Sequence, residues 1–187
     1  IYDDISHPLF VDFGCAQGNF IRQLAINNPS TNYLGVEIHK PLADNANKIT
    51  SATNSPPTRN LHYVGCNANV SLGTMNLPNF SSASILFADP HQHKHKKRRI
   101  VTAEFASLVT SLIAEGGEIY FASDWEELIT DQVGKFIKTG LWERSHEGTW
   151  LGSSPYSEVA STERDRLCEQ RWINVWRCVL RKKKVVM

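Results

Sequence analysis

Short apolar runs alternate with longer amphipathic segments along most of this chain of 187 residues, and no other feature limits its possible folds as strongly. Brief apolar runs bounded by turn signals are typical of buried strands, and apolar residues spaced three and four apart are typical of helices. The predicted strands are 9–13, 32–38, 61–65, 84–87 and 118–122. The predicted helices are 19–27, 41–50, 102–113 and 128–139. This alternation favours a mainly parallel sheet with helices on both of its faces.

The last part of the chain follows a different pattern. Segments 142–146 and 172–180 each have the character of a strand, and the polar stretch 147–171 between them has no clear helical periodicity. Two successive strands without a helix between them favour antiparallel pairing. We therefore predict one α/β domain over residues 1–187, with a seven-stranded sheet that is mainly parallel and has an antiparallel end.

Composition limits the setting of the chain. Apolar residues make up 41% of it, which is enough for a packed core. No run of about 18 apolar residues is present, so we predict no membrane contact. The four cysteines form no CxxC pair, which favours a reducing intracellular compartment, either the cytoplasm or an organelle such as a plastid. Because the sequence begins at Ile1 rather than at a methionine, we expect further residues upstream.

A glycine-containing turn follows the first predicted strand. Asp12, Gly14, Ala16 and Gly18 form the pattern acidic-x-Gly-x-Ala-x-Gly at the point where the strand gives way to a helix. Glycine at such a turn lets the backbone approach a ligand closely, and a tight turn without a ligand is the alternative. The dinucleotide fingerprint Gly-x-Gly-x-x-Gly fits poorly, because Ala16 and Asn19 occupy two of its glycine positions.

Polar side chains end the next two predicted strands. Glu37 ends the second strand, where a carboxylate can accept hydrogen bonds from both hydroxyls of a ribose, and an exposed strand-end acid is the alternative. Asn67 follows the third strand and offers an amide oxygen, for example to an adenine amine. The carboxyl ends of parallel strands share one edge of the sheet, so these groups are expected to lie together.

The positive charges are concentrated although the formal net charge is only +1. Residues 91–99 read His-Gln-His-Lys-His-Lys-Lys-Arg-Arg, and residues 181–184 read Arg-Lys-Lys-Lys. Such tracts favour binding to a phosphate backbone, and a solvated loop or a localisation signal is the alternative. The alternating histidines lack the cysteine or carboxylate partners of a metal site, so no metal is predicted.

Asp89-Pro90 come directly before the first basic tract, which closes on Lys-Arg-Arg-Ile at 97–100. This combination resembles the signature of the tRNA (guanine-N7-)-methyltransferase family. Three further stretches resemble that family in the same order, Leu-Gly-Val-Glu-Ile-His at 34–39, Ala-Ser-Asp-Trp-Glu at 122–126 and Ser-Thr-Glu-Arg-Asp-Arg at 161–166. The glycine turn is similar to the first motif of S-adenosylmethionine methyltransferases.

The resemblance implies a Rossmann-like class I methyltransferase that uses S-adenosylmethionine and methylates N7 of a guanine in tRNA, in the variable loop. It implies that the cofactor is bound by Asp12, Gly14, Gly18, Glu37, Asn67 and Asp89. It implies that catalysis depends on Asp89 and Asp124. The substrate side comprises the loop 88–99, the segment 147–171 and the residues Lys94, Lys96, Lys97, Arg98, Arg99, Asp124, Thr162 and Asp165. The basic loop is one residue short of the family pattern, so either His93 or Lys94 takes the place of its substrate lysine.

Guanine N7 carries a lone pair and no proton, so the expected reaction is a direct displacement without a general base. Asp89 and Asp124 are expected to accept hydrogen bonds from the N1–H and amino donors of the guanine. No protein partner is expected to be required. The alternatives are a methyltransferase fold that binds RNA without activity, and a methyltransferase that acts on another substrate.

Overall fold

The computed structural model describes residues 2–52, 59–91 and 98–184. In these ranges the strands are β1 (Leu9–Phe13), β2 (Asn32–Glu37), β3 (Leu61–Gly65), β4 (Phe80–Leu86), β5 (Ile113–Ser123), β6 (Trp142–Arg144) and β7 (Trp176–Lys182). The helices are α1 (Asn19–Asn27), α2 (Lys40–Ala52), α3 (Ala68–Ser71), α4 (Ala103–Leu112), α5 (Glu126–Ile137) and α6 (Glu163–Gln170). One turn of 3-10 helix, Leu72–Thr74, follows α3.

The seven strands form one sheet in the order β3-β2-β1-β4-β5-β7-β6. Strands β1 to β5 pair in parallel, and β7 pairs antiparallel with both β5 and β6. The predicted fold class, a mainly parallel seven-stranded sheet with an antiparallel end, is therefore confirmed.

The alternation of side chains along the central strands builds a core on each face of the sheet. From β1, Leu9, Val11 and Phe13 join a core that also contains apolar side chains of α4 and α5. Phe10 points the other way, into a core formed with α1 and α2. All five residues of β1 are buried. This burial on both faces explains why the strand reads as a continuous apolar run with one acid, Asp12.

Two strands are longer than the sequence predicted. β4 begins at Phe80 rather than at residue 84. The polar Ser81 is accommodated there because its hydroxyl donates to the Leu9 carbonyl at 3.1 Å. β5 begins at Ile113 and runs through Gly116, whose φ of 75° lies in the left-handed region. The register between β4 and β5 shifts at this end, so the glycine belongs to an irregularity within the strand.

Helix α6 was missed in the sequence, where 147–171 was predicted to lack a helix. Only Cys168 of this helix is buried, so its apolar periodicity is weak. The local signal was a capping box instead. Thr162 Oγ1 accepts from the Asp165 N–H at 2.9 Å, and Asp165 Oδ2 accepts from the Thr162 N–H at 3.1 Å. No helix in the described part of the chain is both long and apolar enough to cross a membrane.

The β1–α1 turn, β2 and β3 pack closely around one ring. Tyr63 of β3 lies against Gly18 and Gly35, and its hydroxyl donates to the Gly18 carbonyl at 2.9 Å. A Cβ atom added at Gly18 would lie 2.2 Å from Tyr63 Cε1. These glycines therefore make room for a buried ring, and this contact sets the spacing of the three elements.

This packing predicts opposite effects for two glycine-to-alanine substitutions. A Cβ atom at Gly35 would lie 2.5 Å from Tyr63 Cδ1 and 2.8 Å from Cys15 Sγ. We expect Gly35→Ala to lower the free energy of unfolding by about 1–3 kcal/mol through overpacking. At Gly134 of α5 nothing lies within 4 Å of the added atom, so Gly134→Ala should raise it by about 0.5–1 kcal/mol. Urea unfolding of both variants checks this, and shifts of the same sign would contradict the packing account.

Candidate functional site

A cavity of about 700 Å³ opens at the carboxyl edge of the sheet. Its wall follows the ends of β1, β2, β3 and β4. Six of the predicted site residues contribute to this wall, namely Gly14, Glu37, Asn67, Asp89, Arg98 and Arg99. Residues far apart in sequence meet here because parallel strands bring their carboxyl ends to one edge.

Glu37 is the best-defined polar group of the cavity. It is 6% exposed, and each carboxylate oxygen is held by a backbone N–H. Oε2 accepts from the Ala16 N–H and Oε1 accepts from the His39 N–H, both at 2.9 Å. Each oxygen has a second lone pair, so the carboxylate can still accept from two neighbouring hydroxyls of a ligand.

Three residues of the cavity wall adopt a left-handed backbone conformation that side chains rarely take. They are Ala16 with φ 49°, Phe87 with φ 47° and His91 with φ 33°. Such conformations cost free energy and concentrate at functional sites. Phe87 and His91 flank Asp89, so the backbone on both sides of this exposed carboxylate is strained.

Asp12 lies behind the cavity and is not part of its wall. It is 3% exposed, and its Oδ1 accepts from Ser84 Oγ of β4 at 2.6 Å. The pKa of Asp12 is raised to about 7, mainly because burial disfavours the charged form. The hydrogen bond from Ser84 opposes this shift, and the nearby carboxylate of Glu37 adds to it. This carboxyl group, predicted to bind the cofactor, is therefore not part of the cavity surface.

Of the other residues predicted to bind the cofactor, Asn67 and Gly14 line the cavity and Gly18 does not. Asn67 reaches the cavity, but its side-chain oxygen caps α3 by accepting from the Asn69 N–H at 3.0 Å. Gly14 reaches the cavity with a φ of 80° and no atom near its missing Cβ, so the backbone is open to a ligand. Gly18 does not line the wall and instead packs against Tyr63.

Arg99, which the sequence predicts to hold an RNA phosphate, is buried in the structure. Its side chain is 1% exposed and is bonded inside the protein. Nε donates to the Pro90 carbonyl at 2.8 Å, Nη1 donates to Asp131 Oδ2 at 3.2 Å, and the guanidinium lies 5.6 Å from the Trp125 ring centroid. Arg99 therefore fixes both ends of the basic loop, whereas Arg98 is exposed.

Asp124, Thr162 and Asp165 form a second cluster that is not part of the cavity wall. Arg164 of α6 makes a two-nitrogen contact with Asp124 Oδ2, with Nε at 3.1 Å. Thr162 and Asp165 form the capping box of α6, and Asp165 Oδ1 pairs with Arg177 of β7 at 3.0 Å. These side chains join β5, α6 and β7 at the carboxyl edge.

The remaining predictions on the basic loop concern His93, Lys94, Lys96 and Lys97, which lie outside the described residues. The second basic tract is engaged within the fold. Lys182 Nζ donates to the Thr110 and Ile113 carbonyls at 2.7 and 2.8 Å, which satisfies the end of α4. In the described part of the chain, no group of three His, Cys, Asp or Glu side chains is placed to hold a metal ion.

Comparison with known proteins now assigns the chain to a family. A family model described as "Putative methyltransferase" matches residues 6–178. The tRNA (guanine-N(7)-)-methyltransferase of Synechocystis sp. is 33% identical, over 97% of this chain and 86% of that protein. The protein of the same name from Thermosynechococcus vestitus is 36% identical, over 95% of this chain and 81% of that protein. The chain belongs to the tRNA (guanine-N7-)-methyltransferase family.

Solved structures agree on the fold of this family member. The 16S rRNA methyltransferase KamB superposes with a TM-score of 0.69 at 15% identity, covering 98% of this chain and 89% of that one. A precorrin-6y C5,15-methyltransferase from Geobacter metallireducens gives 0.60 at 13% identity, covering 98% and 82%. At such identities the likeness concerns the methyltransferase fold alone.

Sequence reasoning missed several wall residues of this methyltransferase. Ile38, His39 and Leu42 line the cavity after β2, and Phe87 lines it after β4. Ile38 is 61% exposed, which is unusual for an apolar side chain beside a buried strand and marks the cavity rim. The only available sequence signal was their position directly after the strand ends, since a positive φ at Phe87 cannot be read from its residue type.

The burial of Asp12 predicts a pH-dependent stability. Its folded-state pKa, about 7, lies above the ordinary value of 3.8, so the folded protein binds this proton more tightly than the unfolded chain. The contribution to stability is therefore full at low pH and is lost as pH rises through about 7, with a slope of at most about 1.4 kcal/mol per pH unit.

Asp12→Asn removes this titration and keeps an acceptor oxygen for Ser84. Urea unfolding of both proteins from pH 4 to pH 8 measures the difference in unfolding free energy. We expect the unfolding free energy of the variant to rise relative to that of the wild type as pH rises, until the difference levels off above pH 7. A difference that stays constant with pH would mean that Asp12 is ionised throughout.

Proposed function

We propose that this protein transfers a methyl group from S-adenosylmethionine to N7 of a guanine in tRNA, in the variable loop. The observation that carries the proposal is Glu37, a buried carboxylate that faces a cavity at the carboxyl edge of a methyltransferase sheet. The names of the relatives supply the substrate class, because the matched relatives are tRNA (guanine-N(7)-)-methyltransferases. We expect the chain to act without a partner subunit.

The residues present fit S-adenosylmethionine. Glu37 keeps a free lone pair on each oxygen for the two ribose hydroxyls, because its backbone partners occupy only one each. At Gly14, in the turn after β1, the backbone has no side chain and no neighbouring atom beside it, so a ligand can approach it closely. Asp12 and Glu37 place two carboxyl groups beside the cavity, which suits a ligand that carries sulfonium and ammonium charges. When bound, this cofactor supplies a methyl group activated by its positive sulfur.

Asp89 is the group we assign to the guanine. It is exposed in the cavity wall, and Arg99 Nε donates to the carbonyl of Pro90, the residue that follows it. A carboxylate accepts hydrogen bonds only, which matches the N1–H and amino donors of guanine. Positive charge accumulates on the base as N7 is methylated, and the negative charge of Asp89 favours that change.

Asp124 has a less direct place in this proposal. Arg164 forms an ion pair with Asp124, so the negative charge of Asp124 is already balanced when no RNA is bound. We therefore assign the main electrostatic effect to Asp89 and a substrate-orienting effect to Asp124. The exposed Arg98 and the lysines of the basic loop would hold the RNA backbone, whose binding is salt-dependent.

The direct test is a methylation assay with the chain alone. Unmodified tRNA is incubated with radiolabelled S-adenosylmethionine, and the product is digested to nucleosides. Label in 7-methylguanosine supports the proposal. Label in another nucleoside, or none in tRNA while the cofactor binds by calorimetry, would overturn it.

Glu37→Gln tests the cofactor site. The amide would turn a donor toward one of the two backbone N–H groups and lose one acceptor for the ribose. We expect S-adenosylmethionine binding to weaken by about 1.5–3 kcal/mol, the size of a hydrogen bond to a charged group. Calorimetry on the variant and on Glu115→Gln, an exposed control, measures this. Equal affinities would remove Glu37 from the ribose contact.

Asp89→Asn tests the electrostatic assignment. The side chain keeps its size but loses its charge and gains donors that oppose those of guanine. We expect single-turnover methylation at saturating tRNA and cofactor to slow about 100- to 1000-fold, while tRNA binding persists. Asp44→Asn on α2 is the matched control, since that carboxylate pairs with Lys40 and is not part of the cavity wall. Near-normal turnover of Asp89→Asn would exclude Asp89 from catalysis.

A further inference from the structure

The segment before β7 lies at the same edge of the sheet as the cavity. β7 runs antiparallel to β5, and its first residue, Trp176, pairs with Ser123, the last residue of β5. The start of β7 therefore coincides with the carboxyl end of β5. The preceding residues 171–175 come to the edge where the substrate must arrive.

Helix α6 leads into this segment and is bonded to α1 and to the end of β5. Glu163 accepts from Asn19 at the start of α1, and Gln23 Nε2 of α1 donates to the Ser161 carbonyl at 3.1 Å. Arg164 holds Asp124 at the end of β5. The eight residues of α6 span about 12 Å, so the C-terminal end of the helix lies about that far from these contacts.

Trp172 stands at that end and is 94% exposed. Its φ is 56°, a conformation that disfavours a bulky side chain at the end of a helix, where glycine is usual. Two backbone hydrogen bonds fix it, from the Trp172 N–H to the Glu169 carbonyl at 3.3 Å and from the Ile173 N–H to the Cys168 carbonyl at 2.9 Å. The indole is thus held outward on an ordered backbone.

The other tryptophans of the chain are engaged with the protein. Trp142 is 2% exposed and donates to Thr110 Oγ1, and Trp125 lies under the Arg99 guanidinium. Trp150 and Trp176 pack against the main core. Trp172 alone offers a whole aromatic surface to the solvent, so its ring is available to a ligand.

The surroundings of Trp172 favour a nucleic acid over a protein. The exposed Arg171 is its neighbour, and among the described residues no carboxylate lies within ion-pair distance of that guanidinium. A protein interface needs about 800 Å² per partner, and a tryptophan side chain supplies at most about 250 Å² of it. One ring and one cation match the size and charge of a single nucleotide.

We propose that Trp172 stacks on an unpaired nucleotide of the RNA substrate next to the target guanine, with Arg171 at its phosphate. The inference rests on the proposed tRNA substrate. An enzyme that reaches N7 of a base in folded RNA must take that base out of its stack, which leaves a neighbouring base face without a partner. The indole of Trp172 covers that face, since single-stranded bases are commonly bound on aromatic rings.

The test compares Trp172→Gly, Trp172→Phe and Ile5→Ala. Glycine adopts the φ of 56° without strain, so folding of that variant is preserved. Ile5 precedes β1 at the opposite edge of the sheet and is 84% exposed, which makes it a matched control for loss of an exposed apolar side chain. We expect Trp172→Gly to weaken tRNA binding about 5- to 150-fold, the range for loss of one stacked base.

The same experiment separates stacking from other roles. Trp172→Phe should recover most of the affinity, and both variants should keep wild-type affinity for S-adenosylmethionine. Iodide should quench wild-type tryptophan fluorescence more than that of Trp172→Phe, and bound tRNA should remove this difference. Ile5→Ala should bind tRNA like the wild type.

Wild-type tRNA affinity in Trp172→Gly would overturn the inference while leaving the proposed function intact, provided that the wild type forms 7-methylguanosine in the same tRNA. A wild-type protein that binds tRNA without methylating it would count against the proposed function alone. Sedimentation that shows a wild-type dimer and a monomeric Trp172→Gly variant would also overturn the inference, because the ring would then face a second copy of the chain.

Discussion

The cavity depends on how the turn after β1 is held against β2. Glu37 accepts the Ala16 N–H, and the ring of Tyr63 fills the space left by Gly18 and Gly35. The Gly14 N–H also donates to the Val36 carbonyl at 2.7 Å, and the His39 N–H holds the other oxygen of Glu37. Together these contacts fix the distance of the turn from the end of β2 and the direction of the Glu37 carboxylate. The same carboxylate thus shapes the backbone of the cavity and keeps a free lone pair on each oxygen.

Some charged residues close to the cavity are exposed and others are buried in ion pairs, and their sequence context does not distinguish the two. Arg98 is exposed in the cavity wall, while its neighbour Arg99 is buried against Asp131 and Trp125. A buried guanidinium loses its hydration, so it must be bonded within the protein. Arg99 therefore serves the site indirectly, by holding the backbone at Pro90 beside Asp89.

The largest difference between the predicted and the observed fold lies in segment 147–171, which has the weakest apolar periodicity. Segment 147–171 was predicted without a helix, yet α6 connects β5, α1 and β7 through Arg164, Glu163 and Asp165. Two of these contacts are ion pairs and one is a polar bond between side chains. None produces the apolar periodicity by which helices are recognised, because the helix buries only one residue against the core.

The sequence by itself determined the order of the strands along the chain, the parallel sheet and the strand ends at which Glu37, Asn67 and Asp89 meet. Apolar periodicity, turn residues and strand polarity depend on near neighbours in the chain, so they can be read along it. Only the tertiary structure decided which polar side chains face the cavity and which bond within the protein. That choice put Asp12 against Ser84, Arg99 against Asp131 and Asp124 against Arg164. Each partner is at least 30 residues away along the chain, so no local pattern could specify the pairing.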